Sequence, residues 1–465
     1  MFRKNADWKG TAVKKQYQIA TGHARAGRTA PKQTKPDALG DAREAALELP
    51  EAVTIAVAEL AGTLEEGLLA LAVGAGLQVL GAVMDAEVTD LAGPKGQWNR
   101  DRTAVRHGDD AGEVTLGGRR VPIRRPRVRT ADRSKEVPLQ SYERFRSTEL
   151  LGRLTLQRML AKLSTRRYRT GLEPVGHAVE AVARSTSRSA VSRRFVAATE
   201  HALAELLASD LSSLDLVCLM IDGVHFAGHT CVVALGIDAD GVKHPLAVEE
   251  GDTENATLVK SLLIALRERG LDVTRPILCV LDGAKALATA VRAVFDHPVI
   301  HRCRQHKLRN VRDKLPSAVA SVVEREMRAA YRHPDPLAAQ AALEALARKL
   351  DRAHPGAAAS LREGLSETLT ISRLNVPPSL ARTLHSTNPI ESMIEICRDH
   401  SRNVKRWQDG KMALRWCAAG MAEAKQQFRR VNGHLHMRAL RAALDAHVAA
   451  DVTTLNYTAD KEAAA

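Results

Sequence analysis

Aromatic residues are scarce, with Phe, Trp and Tyr together making up 3% of the 465 residues. That scarcity argues against a protein that grips nucleic acid by stacking bases on aromatic platforms. The six cysteines (Cys218, Cys231, Cys279, Cys303, Cys397 and Cys417) are dispersed and form no Cys-x-x-Cys pair. A disulfide scaffold is therefore excluded, and reduced thiols are the expectation. No unbroken run of about 18 apolar residues occurs, so no membrane span is expected. The opening residues MFRKNADWKGTAVKKQ lack the apolar stretch of a secretory signal, which predicts a cytoplasmic protein. Basic charge, by contrast, is abundant: 68 Lys and Arg face 54 Asp and Glu, a net of +14. Such an excess points to a polyanionic partner, with nucleic acid first. An apolar content of 45% is ordinary for a globular chain, and the length fits about three domains of ~150 residues.

The patterns divide the chain as follows. Residues 1–45 read as a disordered basic arm, and 46–110 as a helical segment with two helices between Glu51 and Leu91. In 111–145, Val114 and Leu116 alternate with polar residues, as do Val121 and Ile123, on either side of Gly117-Gly118. That pattern predicts a β-hairpin. Eight basic residues and one acid lie between Thr115 and Lys135, a net of +7. They could form a ribbon along DNA phosphates, with Arg119, Arg120, Arg124, Arg125, Arg127 and Arg129 as contacts, or simply a solvated face. Residues 146–210 turn helical. Ser187 or Ser189 can cap a helix presenting Arg193 and Arg194, which fits either a helix-turn-helix or a core helix with a basic outer face.

From Asp215 onward three strands, a helix, a strand, a helix and a strand are expected, the running order of a ribonuclease H-like α/β domain. Its first part would span 211–302 and a helical insertion 303–380. The remainder of the core would span 381–440 and a tail 441–465. Asp222 ends the first predicted strand after LVCLMI, and Asp282 ends the fourth after PILCVL; each precedes a glycine. Asp-Gly is a common turn dipeptide, yet a carboxylate closing a buried strand is costly unless it is paired or holds a metal. In STNPIES, Asn388 suits an N-cap and Glu391 falls three residues on, so Glu391 is either a capping-box residue or a third acid. Cys303 and His306 make one Cys-x-x-His pair, half of what a structural zinc site requires. The stretch Arg302–Lys314 holds six basic residues and one acid, with Arg302, Lys307 and Arg309 as candidate phosphate contacts. Trp407 and Trp416 read as core anchors, and His225 stays open between a surface role and a phosphate contact.

Taken together and in order, LMIDGVHF, LDGAKAL, HRCRQHKLRNV and STNPIES resemble the mutator-type transposases of bacterial insertion sequences, over roughly Glu51 to Leu440. VTLGGRRVPIRRPRVR resembles the basic segment upstream in that family. The resemblance implies a ribonuclease H-like catalytic core interrupted by an all-helical insertion. It also implies a mainly helical N-terminal DNA-binding region and an Asp-Asp-Glu triad. Here the triad would be Asp222, Asp282 and Glu391, separated by 60 and 109 residues, with His306 beside it. Three carboxylates suit phosphodiester chemistry with two Mg²⁺ or Mn²⁺ ions. The partners implied are double-stranded DNA (terminal inverted repeats and target) and further copies of the chain assembled on it in the bacterial nucleoid. Two other readings remain: a DNA-binding regulator with a catalytically silent core, and a nuclease for RNA–DNA hybrids, which would need neither the insertion nor the basic N-terminal half.

Overall fold

A computed structural model of the chain describes residues 67–97, 102–251 and 255–463, with side chains to residue 450. The expected basic arm, and the first of the two helices expected after Glu51, lie outside these residues. The second is α1 (Leu68–Ala92). Its Leu80, Met84 and Val88 recur every four residues and form one buried stripe. This stripe packs on Val114, Val121 and Val128 of a sheet made by β1 (Ala104–Leu116), β2 (Arg119–Thr130) and β3 (Glu136–Val137). By length and composition α1 is apolar enough to cross a bilayer, so a span is not excluded on those grounds as the sequence reading held. Scattered Gly and Gln residues break the apolar run, but a helix averages over them. The hairpin turns at Gly117 and Gly118, whose φ of +53° and +83° are the left-handed pair a two-residue turn requires.

Next come α2 (Gln140–Arg146), α3 (Thr148–Leu160), α4 (His177–Val182) and α5 (Arg188–Ala208). Ser187 caps α5 by accepting a hydrogen bond from the Ala190 amide at 3.3 Å. The helix buries Val191, Phe195 and Thr199, and Phe195 lies 4.6 Å from Trp416. Trp416 belongs to α15 (Gly410–Gln427), so α5 is joined to the helices that cover the second sheet.

The second sheet has five strands: β4 (Leu216–Phe226), β5 (His229–Asp238), β6 (Lys243–Gly251), β7 (Ile277–Leu281) and β8 (Pro298–Arg302). Their order is β6-β5-β4-β7-β8. The first three are joined antiparallel, whereas β4, β7 and β8 run parallel. Helices α6 (Ala256–Glu268) and α7 (Lys285–Val294) supply the crossovers. They cover the face carrying Leu219, Ile221, Cys279 and Leu281. The opposite face, with Cys218, Met220, Val224, Leu278 and Val280, is covered by the C-terminal helices.

Four helices intervene between β8 and that cover: α8 (Arg304–Arg312), α9 (Ser317–Tyr331), α10 (Pro336–Leu350) and α11 (Pro355–Arg362). They share a core of their own, including Val311, Met327, Leu343 and Leu361. The sequence HPDP before α10 is a helix start signal. Asp335 accepts from the amides of Leu337 and Ala338 while Pro336 takes the first helical position. The chain then returns through α12 (Thr370–Arg373), α13 (Pro378–Leu384) and α14 (Asn388–Ser401), and after α15 ends in α16 (Met437–Ala463). The molecule is thus a mixed α/β protein with two separate sheets.

Candidate active site

Register brings the first two acids together. β4 and β7 pair in parallel as Cys218 with Leu278, Leu219 with Cys279 and Met220 with Val280, a constant offset of 60 residues. Extended by two residues, that register sets Asp222 level with Asp282. Side chains alternate along a strand, so Asp222 shares a face with Cys218 and Met220, and Asp282 with Leu278 and Val280. Both acids therefore point to the face covered by α14, whose Ile390 and Met393 belong to the same core. Glu391 sits in the first turn of that helix.

Asp222 does not end its strand, as the sequence predicts. β4 runs four residues further because it continues to pair with β5 as far as Phe226 opposite His229. Asp282 does fall just past the end of β7. Each acid accepts a backbone amide hydrogen bond: Asp222 from Gly223 at 2.8 Å and Asp282 from Ala284 at 2.7 Å. Gly283 has φ +108°, and a Cβ there would run into the Arg302 guanidinium, so glycine suits this step.

Burial raises the Asp222 carboxyl to about 6, and the nearby charges of Asp282 and Glu391 push the same way, while His306 opposes them. The three acids thus lie within electrostatic reach of one another. Among the described residues, no three His, Cys, Asp or Glu side chains are gathered tightly enough to hold a metal ion by themselves.

Thr387, not Asn388, stands at the N-cap of α14. Glu391 makes no capping-box contact. Its Oε1 accepts from the Thr387 hydroxyl at 2.7 Å and lies 3.8 Å from Nε2 of His306. Cys303 caps α8, its sulfur accepting from the His306 amide at 3.5 Å. Burial pushes the Cys303 thiol up, but hydrogen bonds with His306 and Thr387 outweigh it and bring the thiol below its ordinary value. The hydrogen bond with Cys303 raises the half-buried His306 imidazole above its ordinary value, against the effect of burial. Glu391 and Asp282 add to that rise.

The basic residues divide into two groups. Arg119, Arg302 and Lys307 are buried and face inward, contrary to their expected role as phosphate contacts. Arg119 pairs with Glu180 at 2.9 Å and donates to the Glu173 carbonyl. Arg302 donates to the carbonyl of Glu363 at 3.0 Å. The Lys307 ammonium takes the carbonyls of Ser360 and Glu363 at the end of α11, where cations are favoured. Arg194 is half-buried and directed at Thr155. In the ribbon, Arg120 pairs with Glu113, Arg125 with Asp110 and Glu136, and Arg127 with Glu136, while Arg129 donates to the Arg133 carbonyl. The +7 window stops just short of those acids. From Asp109 to Glu136 there are eight basic and five acidic residues, a net of only +3. Arg124, Arg193 and Arg309 remain exposed.

Trp416 is a core residue, and Trp407 packs against Phe226 with ring centroids 4.8 Å apart and the planes tilted by 42°. His225 is exposed, its Nδ1 held 3.0 Å from the Thr230 hydroxyl. Two features went unread in the sequence. One is Thr387. The other is a cluster of buried His301 and Arg304 with half-buried His385, in which Arg304 bonds the Thr368 carbonyl, Ser372 and His385. A Thr beside a Glu helix was the available signal for the first; the second has no local signature.

The chain is 28% identical over 366 residues to a transposase for insertion sequence element ISRM5 of Rhizobium meliloti (strain 1021), covering 78% of this chain and 90% of the relative. It is 32% identical over 204 residues to the transposase for insertion sequence element IS6120 of Mycolicibacterium smegmatis, covering 43% and 62%. A probable insertion-sequence transposase of Corynebacterium diphtheriae is 30% identical over 195 residues, covering 42% and 56%. The family model described as transposase, Mutator family, matches residues 63–431, and the chain belongs to that family of transposases.

Proposed function

We propose that this transposase cuts and joins DNA at the ends of its insertion sequence through Asp222, Asp282 and Glu391, on a ribonuclease H-like core. The observation that carries the reading is the 60-residue register of β4 and β7, which sets the two Asp level on the face beneath the helix bearing Glu391. The strand order, with three antiparallel strands followed by two parallel ones, supports the fold assignment. The family and its named relatives favour this activity over a silent DNA-binding regulator.

The donor set fits Mg²⁺ or Mn²⁺. It consists of hard carboxylate oxygens, and the charge crowding that helps raise Asp222 is what a cation relieves. Mg²⁺ needs few protein ligands when water and phosphate oxygens complete its shell, which suits acids that stand near one another without converging on one point. Asp222 and Asp282 would hold both ions and Glu391 one of them. When bound, two such ions activate the attacking oxygen and stabilise the leaving one in an in-line displacement.

The protein's own part is orientation. Backbone amides fix Asp222 and Asp282, Thr387 and His306 fix Glu391, and the parallel strands hold the acids in register. Exposed Arg124, Arg193 and Arg309 are the proposed phosphate contacts, Arg124 with Asp109 3.7 Å away; Arg120, Arg125 and Arg127 become available where DNA displaces their carboxylate partners, and Arg129 where it displaces the Arg133 carbonyl. Active assemblies would be oligomers formed on paired DNA ends. In a test on a duplex carrying the inverted repeat that brackets the gene, Asp282→Asn should abolish cleavage and strand transfer yet leave end binding intact. Cleavage that survives this change would refute the assignment.

A further inference from the structure

The hydroxyl of Thr387 occupies an unusual position. The side chain is fully buried and stands at the N-cap of α14, where a threonine normally accepts a hydrogen bond from an amide of the first turn. No such bond forms here. The helix therefore forgoes a stabilising contact. Pro389 has no N–H to offer, and the Ile390 amide bonds to the Thr387 carbonyl at 3.0 Å, beside the ordinary first helical bond from the Glu391 amide. That leaves the hydroxyl free for other partners, and it meets three: Oε1 of Glu391 at 2.7 Å, Nδ1 of His306 at 3.3 Å and Sγ of Cys303 at 3.5 Å.

A hydroxyl carries one proton and two lone pairs. The carboxylate is the shortest contact and accepts only, so the Thr387 proton goes to Glu391. The Thr387 oxygen is then an acceptor toward His306, which places a proton on Nδ1. With Nδ1 so engaged, Nε2 is the ring nitrogen that faces Glu391 at 3.8 Å.

We infer that Thr387 is a positioning residue. It couples the Cys303–His306 pair on α8 to the Glu391 carboxylate on α14 and presents the second Glu391 oxygen to the cleft. This deepens the proposed function and rests on its assignment of Glu391. The Cys-x-x-His pair then has a role that needs no zinc. Cys303 orders the start of α8, His306 meets the threonine, and the threonine sets the acid. Groups that hold a metal-binding carboxylate in place through a hydrogen bond typically change metal affinity or activity by about 10- to 100-fold when removed.

The test uses the full chain with Thr387→Val, Thr387→Ser and Glu391→Gln. Mn²⁺ binding is measured calorimetrically without DNA, melting is followed in EDTA, and single-turnover cleavage is followed across Mn²⁺ concentrations. Thr387→Val should weaken Mn²⁺ binding about tenfold and raise the half-saturating Mn²⁺ for cleavage by a similar factor. Thr387→Ser keeps the hydroxyl and should recover most of that loss, although it removes the methyl group that fills the buried space. The inference is overturned if Thr387→Val binds Mn²⁺ as the wild type does. It is equally overturned if Thr387→Ser is as defective as Thr387→Val, because packing and not the hydroxyl would then be responsible. Should Thr387→Val fail to fold, wild-type-like Mn²⁺ affinity in Thr387→Ser supports the inference and a tenfold loss overturns it. Unimpaired cleavage by Glu391→Gln would remove the proposed function itself, an outcome distinct from failure of the threonine variants alone.

Discussion

Replacing Asp222 by Asn should stabilise the protein while destroying its activity. Burial and two neighbouring carboxylates raise this carboxyl from 3.8 to about 6. An acid whose pKa is higher folded than unfolded holds its proton more tightly in the folded state. Stability therefore falls as pH rises from about 4 to about 6, and the whole penalty is present above that range. A shift of about two units corresponds to ~3 kcal/mol at pH 8, falling to ~2 kcal/mol at pH 5.5 and below ~1 kcal/mol at pH 4. Asparagine keeps the oxygen that accepts the Gly223 amide and removes the charge. Desolvating the amide offsets part of the gain, so an increase of ~1–3 kcal/mol at pH 8 is expected. Thermal or urea melts of both proteins in EDTA measure it, and taking their difference at each pH cancels every other titrating group. Adding Mg²⁺ or Mn²⁺ should stabilise the wild type far more than the variant, since ligand binding to the folded state alone raises stability. The reasoning fails if Asp222→Asn melts at or below the wild type at pH 8, or if its advantage does not shrink toward pH 5.5. Stability gained at the expense of activity is the pattern expected when like charges are held together for function.

Other consequences are open to direct measurement. Burial holds His301 well below its ordinary value and His385 down to about 3, with the Arg304 charge adding to both. The unfolded chain takes up those protons near pH 6.5, so stability should fall below that pH by about 1.4 kcal/mol per unit for each histidine, and urea midpoints from pH 7 to 5 will show it. In DNA-binding titrations, Arg124→Ala should lower the salt slope by about one unit, whereas Lys307→Met should leave the slope unchanged because its ammonium holds backbone carbonyls. Gly283→Ala forces a left-handed residue to carry a Cβ against the Arg302 guanidinium, and should cost at least ~1–2 kcal/mol in a melt along with cleavage activity.

Local pattern alone determined much of this protein. Alternation around Gly117-Gly118 specified a hairpin, because two residues with positive φ admit little else there. The hydrophobic runs before Asp222 and Asp282 specified strands of the second sheet, and the Ala- and Leu-rich stretch specified a helical block between its last strand and Glu391. The charge excess was legible as a total, but its use was not. The carboxylate partners of the ribbon arginines lie on β1 and β3, outside the stretch Thr115–Lys135, and only strand pairing brings them alongside. Lys307 and Arg302 looked like phosphate contacts because their neighbours are basic. A charge turns inward or outward according to which carbonyls the fold leaves unpaired, and here the end of α11 provides them.

The site shows the same division. The number 60 separating the two Asp was visible from the start, yet it acquired meaning only as the register offset of two parallel strands. Glu391 could be a helix cap or an acid from sequence alone. Tertiary packing removes the capping-box contact by turning the Glu391 carboxylate to the Thr387 hydroxyl, with His306 and Cys303 beside it, and the third-acid role is the one proposed above. Sequence determines what each segment can be, since secondary structure and turns are short-range; which side chains meet depends on contacts between residues 60 or more positions apart, and those exist only once the sheet and its covering helices have packed.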